Sequence, residues 1–331
     1  MEGNPEEILE RKLNNPKAIL TPDQSISLIN YCTELGEQHA AHTAEKTISI
    51  FAGNIGAGKS TTINALLGCR MRAEFDDETD EEIIIVDPSS PFEEFMPIGH
   101  GRRSRTFMPQ IAQDPDHPNR AYCDCPGFYN TMGAEINIAN AINMRKVLQQ
   151  ATGVKVVFLA EYDALLCNRG YHIRNLEAMC GKMFGGADNL RRYQNSVLLG
   201  ITKAPLCVRD RPLTTNAVRE RLKLVGSDVA AILANRVFLF DPLDHATDNL
   251  DFWDRDQLRT VISQLRHIPQ QQAVHLFQTT LTDSDKSHLL ATVQRLRPRM
   301  LSAIEQDDAT ALGQYWQLLQ RLRVMEHPEV N

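Results

Sequence analysis

The chain has 331 residues, 42 % of them hydrophobic, and 42 Asp and Glu against 35 Lys and Arg give it a formal net charge of −7. That length holds one large α/β domain with appendages or two domains, and the acidic balance argues against an extended nucleic-acid surface. No apolar run reaches the roughly eighteen residues of a membrane-spanning helix, and seven cysteines without a C-x-x-C pair fit free thiols in a reducing, cytoplasmic setting.

Residues 1–45 read as a polar helical extension. A short helix is expected near 5–13, and a longer one opens at TPDQ with Thr21 or Asp23 as its N-cap. Ile26, Leu28, Ile29 and Cys32 form a narrow apolar stripe on it, which predicts packing against the main domain, with a partner-binding helix as the alternative.

Residues 46–69 read as strand, glycine turn and helix in immediate succession. Ile48, Ile50 and Ala52 alternate with Thr47, Ser49 and Phe51, and then Gly53, Asn54, Ile55, Gly56, Ala57, Gly58, Lys59 and Ser60 spell G-x-x-x-x-G-K-S, a phosphate-binding loop. Its glycines let successive backbone N–H groups converge on a phosphate, and the following helix, from Lys59, Ser60 and Thr61 onward, adds its positive end. Lys59 is expected at the β- and γ-phosphates and the Ser60 hydroxyl at Mg2+. Ile63, Leu66 and Leu67 give the helix its buried face, with Gly68 closing it.

The run EFDDETDEE, 74–82, with seven carboxylates in nine residues, predicts a solvated, mobile loop. IIIVD (83–87) reads as a strand and PFEEFMPIG (91–99) as a second extended piece. In HGRRSRTFMPQ (100–110), Thr106 is the candidate to fold over Mg2+ and a terminal phosphate, with Ser104 behind it and Arg102, Arg103 and Arg105 as candidate charge stabilisers. RAYCDCPGF (120–128) carries a strand into Asp124, a carboxylate at a strand's C-terminal end that can hold Mg2+, and Gly127, whose N–H can approach a γ-phosphate. Cys123 and Cys125 are expected on opposite faces of that strand, as small apolar fillers.

Strands at 154–160, 196–201 and 236–240 alternate with helices at 170–185, 214–224 and 252–268, which predicts a mainly parallel sheet covered on both faces. From 283 onward the pattern is a helical pair. The expected division is therefore 1–45 helical, 46–268 nucleotide-binding and 269–331 helical.

These residues resemble the GTP-binding domains of the translation-factor-related class, in particular the septin, AIG1 (IMAP) and chloroplast import-receptor type. GKSTTINALLG (58–68) is similar to that group's first motif, SRT (104–106) to its switch threonine and DCPGF (124–128) to its D-T-P-G-φ motif, over about 46–268. The resemblance implies a three-layer α/β P-loop NTPase domain that binds GTP and hydrolyses its β–γ bond with Mg2+. Lys59, Thr106 and Gly127 would act in catalysis, Ser60, Thr106 and Asp124 at the metal, and residues 53–61 with Thr202 and Lys203 on the nucleotide. It also implies a homodimer across the nucleotide face; the terminal helices lie outside the resemblance and are a candidate surface for a protein partner. Where the group has N/T-K-x-D this chain has Thr202-Lys203-Ala204-Pro205, so the carboxylate that reads guanine is missing and ATP stays open; Asp210 and Asp241 are its candidate substitutes. Phe128 stands where a water-orienting glutamine is found in small switch proteins, which predicts slow turnover. An ATPase or kinase, or a nucleotide-locked scaffold, are the competing expectations.

Overall fold

A computed structural model describes residues 3–76, 80–99, 107–126, 132–163, 171–243, 251–276 and 281–323. Its central strand, β1 (Thr47–Gly53), is buried at every residue after Thr47, as a short β-branched run covered on both faces must be. It pairs in parallel with β5 (Arg120–Asp124) on one side and β6 (Gly153–Glu161) on the other. Beyond β6 lie β7 (Val197–Thr202), β10 (Val237–Phe240) and β11 (Phe252–Trp253), all parallel. β4 (Gln110–Gln113) closes the other edge, antiparallel to β5, and the short β12 (Ile268–Pro269) runs antiparallel on the start of β6. The order β11-β10-β7-β6-β1-β5-β4 makes a mainly parallel α/β sheet, flanked by helices at both termini as the sequence predicts. Its parallel strands all end at one edge of the sheet, where ligands bind in open α/β folds.

One face is covered by α3 (Lys59–Leu66) and α9 (Arg255–Gln264), whose Ile63, Leu66, Leu258 and Ile262 meet Phe51, Leu159, Leu198 and Phe238 of the strands. The other face carries α4 (Ala134–Gln150), α5 (Tyr171–Phe184), α6 (Ala187–Arg192), α7 (Thr215–Lys223), α8 (Asp228–Leu233) and α10 (Gln270–Leu276). There Val147, Met179, Val218 and Ala273 close over Ile50, Val156 and Leu199. The small hairpin β8 (Cys207–Val208) and β9 (Arg211–Pro212) follows β7.

The terminal helices build a second layer on α4. α1 (Pro5–Asn14) and α2 (Pro22–Ala41) put Ile8, Leu28 and Cys32 against Ile136 and Ala139. α11 (Asp283–Glu305) and α12 (Ala309–Arg323) put Leu289, Leu296 and Leu318 against Ile26, Ile138 and Ile142. Thr21 is the N-cap of α2, in a reciprocal capping box with Gln24. The whole stripe Ile26, Leu28, Ile29 and Cys32 is buried, so the packing alternative holds over an exposed partner helix.

Three local expectations are corrected. The acidic run is not a loop throughout: Glu74–Asp76 end β2 (Met71–Asp76) and Glu81 and Glu82 open β3 (Glu81–Val86), an antiparallel hairpin, while 77–79 lie outside the described residues. Ile84 and Val86 pack on the core and hold the ribbon, and Glu74 pairs with Arg72 and lies opposite Ile83, not another carboxylate. The piece 91–99 is not a strand; Asn64 holds it, donating to Met96 O at 2.7 Å and accepting from the N–H groups of Phe95 and Met96. Cys123 on β5 and Cys125, just past its end, are two apart and lie on one side, where the alternation of an extended chain returns, and their sulfurs are 3.9 Å apart.

Candidate functional site

The loop between β1 and α3 sits at the C-terminal edge of the sheet, between the ends of β5 and β6. Gly53 has no room for a side chain: a Cβ there would stand 2.4 Å from the Leu159 carbonyl oxygen. Gly56 and Gly58 take φ values of 83° and 77°, the left-handed region that favours glycine. Gly58 is the N-cap of α3 and makes no side-chain cap bond, which leaves the helix N-terminus at the loop without a capping side chain from that residue. Asn54, Ile55, Ser60 and Thr61 are half-buried, Ala57 is buried, and Gly56 is exposed.

Lys59, the first residue of α3, is 7 % exposed and curls back over the loop, its Nζ donating to Gly53 O at 3.2 Å and Asn54 O at 3.0 Å. Burial lowers its pKa from the ordinary lysine value, opposed by the negative groups around it, Asp124 first. The ammonium thus has two carbonyl acceptors and a shortage of negative charge. One helical position later, the Ser60 hydroxyl donates to Asp124 Oδ2 at 2.5 Å. Asp124 is the last residue of β5, fully buried and paired in register with Phe51 of β1, so the sheet itself carries the carboxylate to the loop.

The opposite flank is built by β6 and β7. The Thr202 hydroxyl donates to Ala57 O at 3.0 Å, tying the end of β7 to the phosphate loop. Lys203 follows with φ 52° and its Nζ donates to Glu161 Oε1 at 2.9 Å. Glu161 escaped the sequence reading; the only signal for it was its place as the last residue of an apolar strand, in register with Thr202. Asp210 turns the β8–β9 hairpin with φ 59°, and Asp241 accepts the backbone N–H of Leu243 just past β10.

The structure therefore brings together Gly53 to Thr61, Asp124, Thr202 and Lys203. Thr106 and Gly127, with Ser104, Arg102, Arg103, Arg105 and Phe128, lie outside the described residues. Among the described residues, no group of three or more His, Cys, Asp or Glu could hold a metal ion, and no helix is long and apolar enough to cross a membrane.

No protein-family model matches the sequence, and no curated protein matches it. Among solved structures, the chain is similar to a point mutant of S. thermophilus NFeoB bound to GDP, at 9 % identity and a TM-score of 0.32, over 85 % of this chain and 87 % of that one. It is similar to a second NFeoB mutant from the same organism, bound to mGDP, at 10 % identity and 0.31, over 86 % and 82 %. It is also similar to a chain of an oligomerised bacterial dynamin pair described as sensing and tethering membranes, at 11 % identity and 0.31, over 96 % of this chain and 51 % of that one.

Proposed function

We propose that this chain binds a nucleoside triphosphate, GTP foremost, together with Mg2+ and slowly hydrolyses its β–γ bond, as a switch or assembling GTPase of the septin/AIG1 type. The observation that carries this reading is the mouth of the β1–α3 loop. An uncapped helix N-terminus, a buried Lys59 ammonium and the 2.5 Å Ser60–Asp124 pair meet at that one loop. That set is complementary to a polyphosphate and to nothing apolar.

Each residue has a distinct task. The backbone N–H groups of 56–61 cradle the phosphates, and Lys59 exchanges its two carbonyl acceptors for phosphate oxygens, which supply the negative charge its burial lacks. Ser60 and Asp124 offer two hard oxygens, the complement Mg2+ takes from a protein when phosphates and water fill the remaining positions. Such a cation neutralises charge on the β- and γ-phosphates during transfer. Thr106 and Gly127 are assigned to the metal and the γ-phosphate on their motif positions alone. With Phe128 after the D-x-P-G turn, slow turnover is part of the proposal, as is a homodimer across the nucleotide face or a partner engaged by the terminal helices.

A second reading, relaxed base specificity with ATP accepted, is favoured by Ala204-Pro205 after Lys203, which offer no acceptor side chain to a guanine. Phosphate release from GTP and ATP, with Mg2+ and with EDTA, separates the two. Mg2+-dependent release faster from GTP is the expected result. Equal rates favour the relaxed site, and tightly held nucleotide without release would replace the enzyme by a nucleotide-locked scaffold.

A further inference from the structure

Glu161 has no part in the phosphate or metal chemistry above, yet its carboxylate lies against the phosphate loop. A Cβ built on Gly56 would stand 3.0 Å from Glu161 Oε1 and 4.0 Å from Lys203 Nζ, so the ion pair rests on the shoulder of the loop. An unpaired carboxylate there would repel a triphosphate; the 2.9 Å bond to Lys203 cancels that charge. The backbone is fixed on the same purpose. Thr202 is tied to Ala57, and Lys203 is held in the left-handed region, an uncommon place for a residue with a side chain. Ser60 and Asp124 occupy the β5 side of the loop, so a nucleotide with its terminal phosphates there carries its nucleoside on the β6–β7 side, where Lys203 and Glu161 stand.

We propose that Glu161 is a positioning residue of the nucleoside subsite. It anchors the Lys203 ammonium at the loop shoulder, so that the methylene stem of the lysine is held as a floor for the base, and it acts through that lysine, not on the base. This rests on the nucleotide-binding reading above. Lys203 and Glu161 have side chains 57 % and 33 % exposed, so the pair is partly screened and its contribution is modest.

The test is a double-mutant cycle on the full-length protein, read as dissociation constants for fluorescent GTP and ATP analogues with Mg2+. Glu161→Ala is expected to weaken both nucleotides by the same factor, about two- to fivefold. Lys203→Ala should weaken both at least as much, and the double variant should be no weaker than Lys203→Ala. Glu161→Gln, which still accepts a hydrogen bond, should lose less than Glu161→Ala. Unchanged or tighter binding by Glu161→Ala overturns the proposal, because the carboxylate is then only a repulsive charge. A change in the GTP-to-ATP ratio overturns it too, because Glu161 then reads the base directly. If the wild type binds neither nucleotide, or a Lys59→Ala control binds as well as wild type, the underlying reading fails, and those two controls separate that case from failure of the cycle.

Discussion

The Ser60 hydroxyl does two jobs that a single substitution pulls apart. In the free protein it satisfies one oxygen of a fully buried carboxylate; in the proposed complex it is a metal donor. Ser60→Ala should therefore lower stability, by about 1–2 kcal/mol for a buried acceptor losing one partner. It should also weaken nucleotide binding in Mg2+ far more than in EDTA. Denaturant titration and the two binding curves check both halves; equal weakening in Mg2+ and EDTA would remove Ser60 from the metal. At this scale the loop and the carboxylate that the structure brings together were legible in the sequence as a candidate site. Gly53, Gly56, Gly58, Lys59, Ser60 and Asp124 are chosen by backbone conformation and charge, and such demands leave a fixed spacing in the chain. Glu161 was not legible, because its role depends on β6 and β7 lying side by side, and strand order is not written in any local pattern.

Between elements, the extension meets the main domain where α2 packs on α4 at Gly36 and Asn143. A Cβ at Gly36 would lie 2.0 Å from the side-chain amide of Asn143, and that amide cannot swing away freely because its nitrogen donates to Cys32 O at 3.0 Å. Gly36→Ala should cost about 1–3 kcal/mol by overpacking, although alanine is the better helix former; a urea midpoint unchanged or raised would show that α2 slides at no cost. The stripe on α2 was readable as a period, since a buried helix face repeats every three or four residues. The strand at 83–86 was readable from its β-branched run, but its pairing with 71–76 was not, because composition describes the acidic residues one by one while Ile84 and Val86 anchor them across the ribbon. The segment 91–99 escaped for a related reason: it is ordered by the side chain of Asn64, which leaves no periodicity.

For the whole molecule, Glu135 in the first turn of α4 is where both ends of the chain meet the main domain. It is 4 % exposed, 3.2 Å from Lys12 of α1 and 3.4 Å from His288 of α11, and it accepts from Ser25 of α2 at 3.0 Å. Burial pulls its pKa up, but its own backbone N–H, Lys12 and His288 outweigh that, and the net shift is below the ordinary value of 4.5. A depressed carboxyl pKa in the fold means that the contribution is fully present above the unfolded value. It is lost as pH falls from about 4.5 through the lower folded value. Glu135→Ala strands the buried Lys12 ammonium and should cost about 3 kcal/mol at neutral pH. The stability difference between Glu135→Gln and wild type should shrink as the pH falls through that window. A difference that does not change with pH would mean that packing, not charge, sets the effect. Because Ile26, Ile138 and Leu318 share one buried cluster, the full chain should unfold in a single transition, with the helical ends and the sheet coinciding by fluorescence and circular dichroism.

The central claim is that the β1–α3 loop binds a nucleotide through its phosphates, and calorimetric titration of GTP and Mg2+ into wild type and Lys59→Ala tests it most directly. Saturable binding by the wild type is expected, with a loss of about a hundredfold or more in affinity in a Lys59→Ala variant that remains folded by circular dichroism. Wild-type affinity retained by a folded Lys59→Ala protein would contradict it.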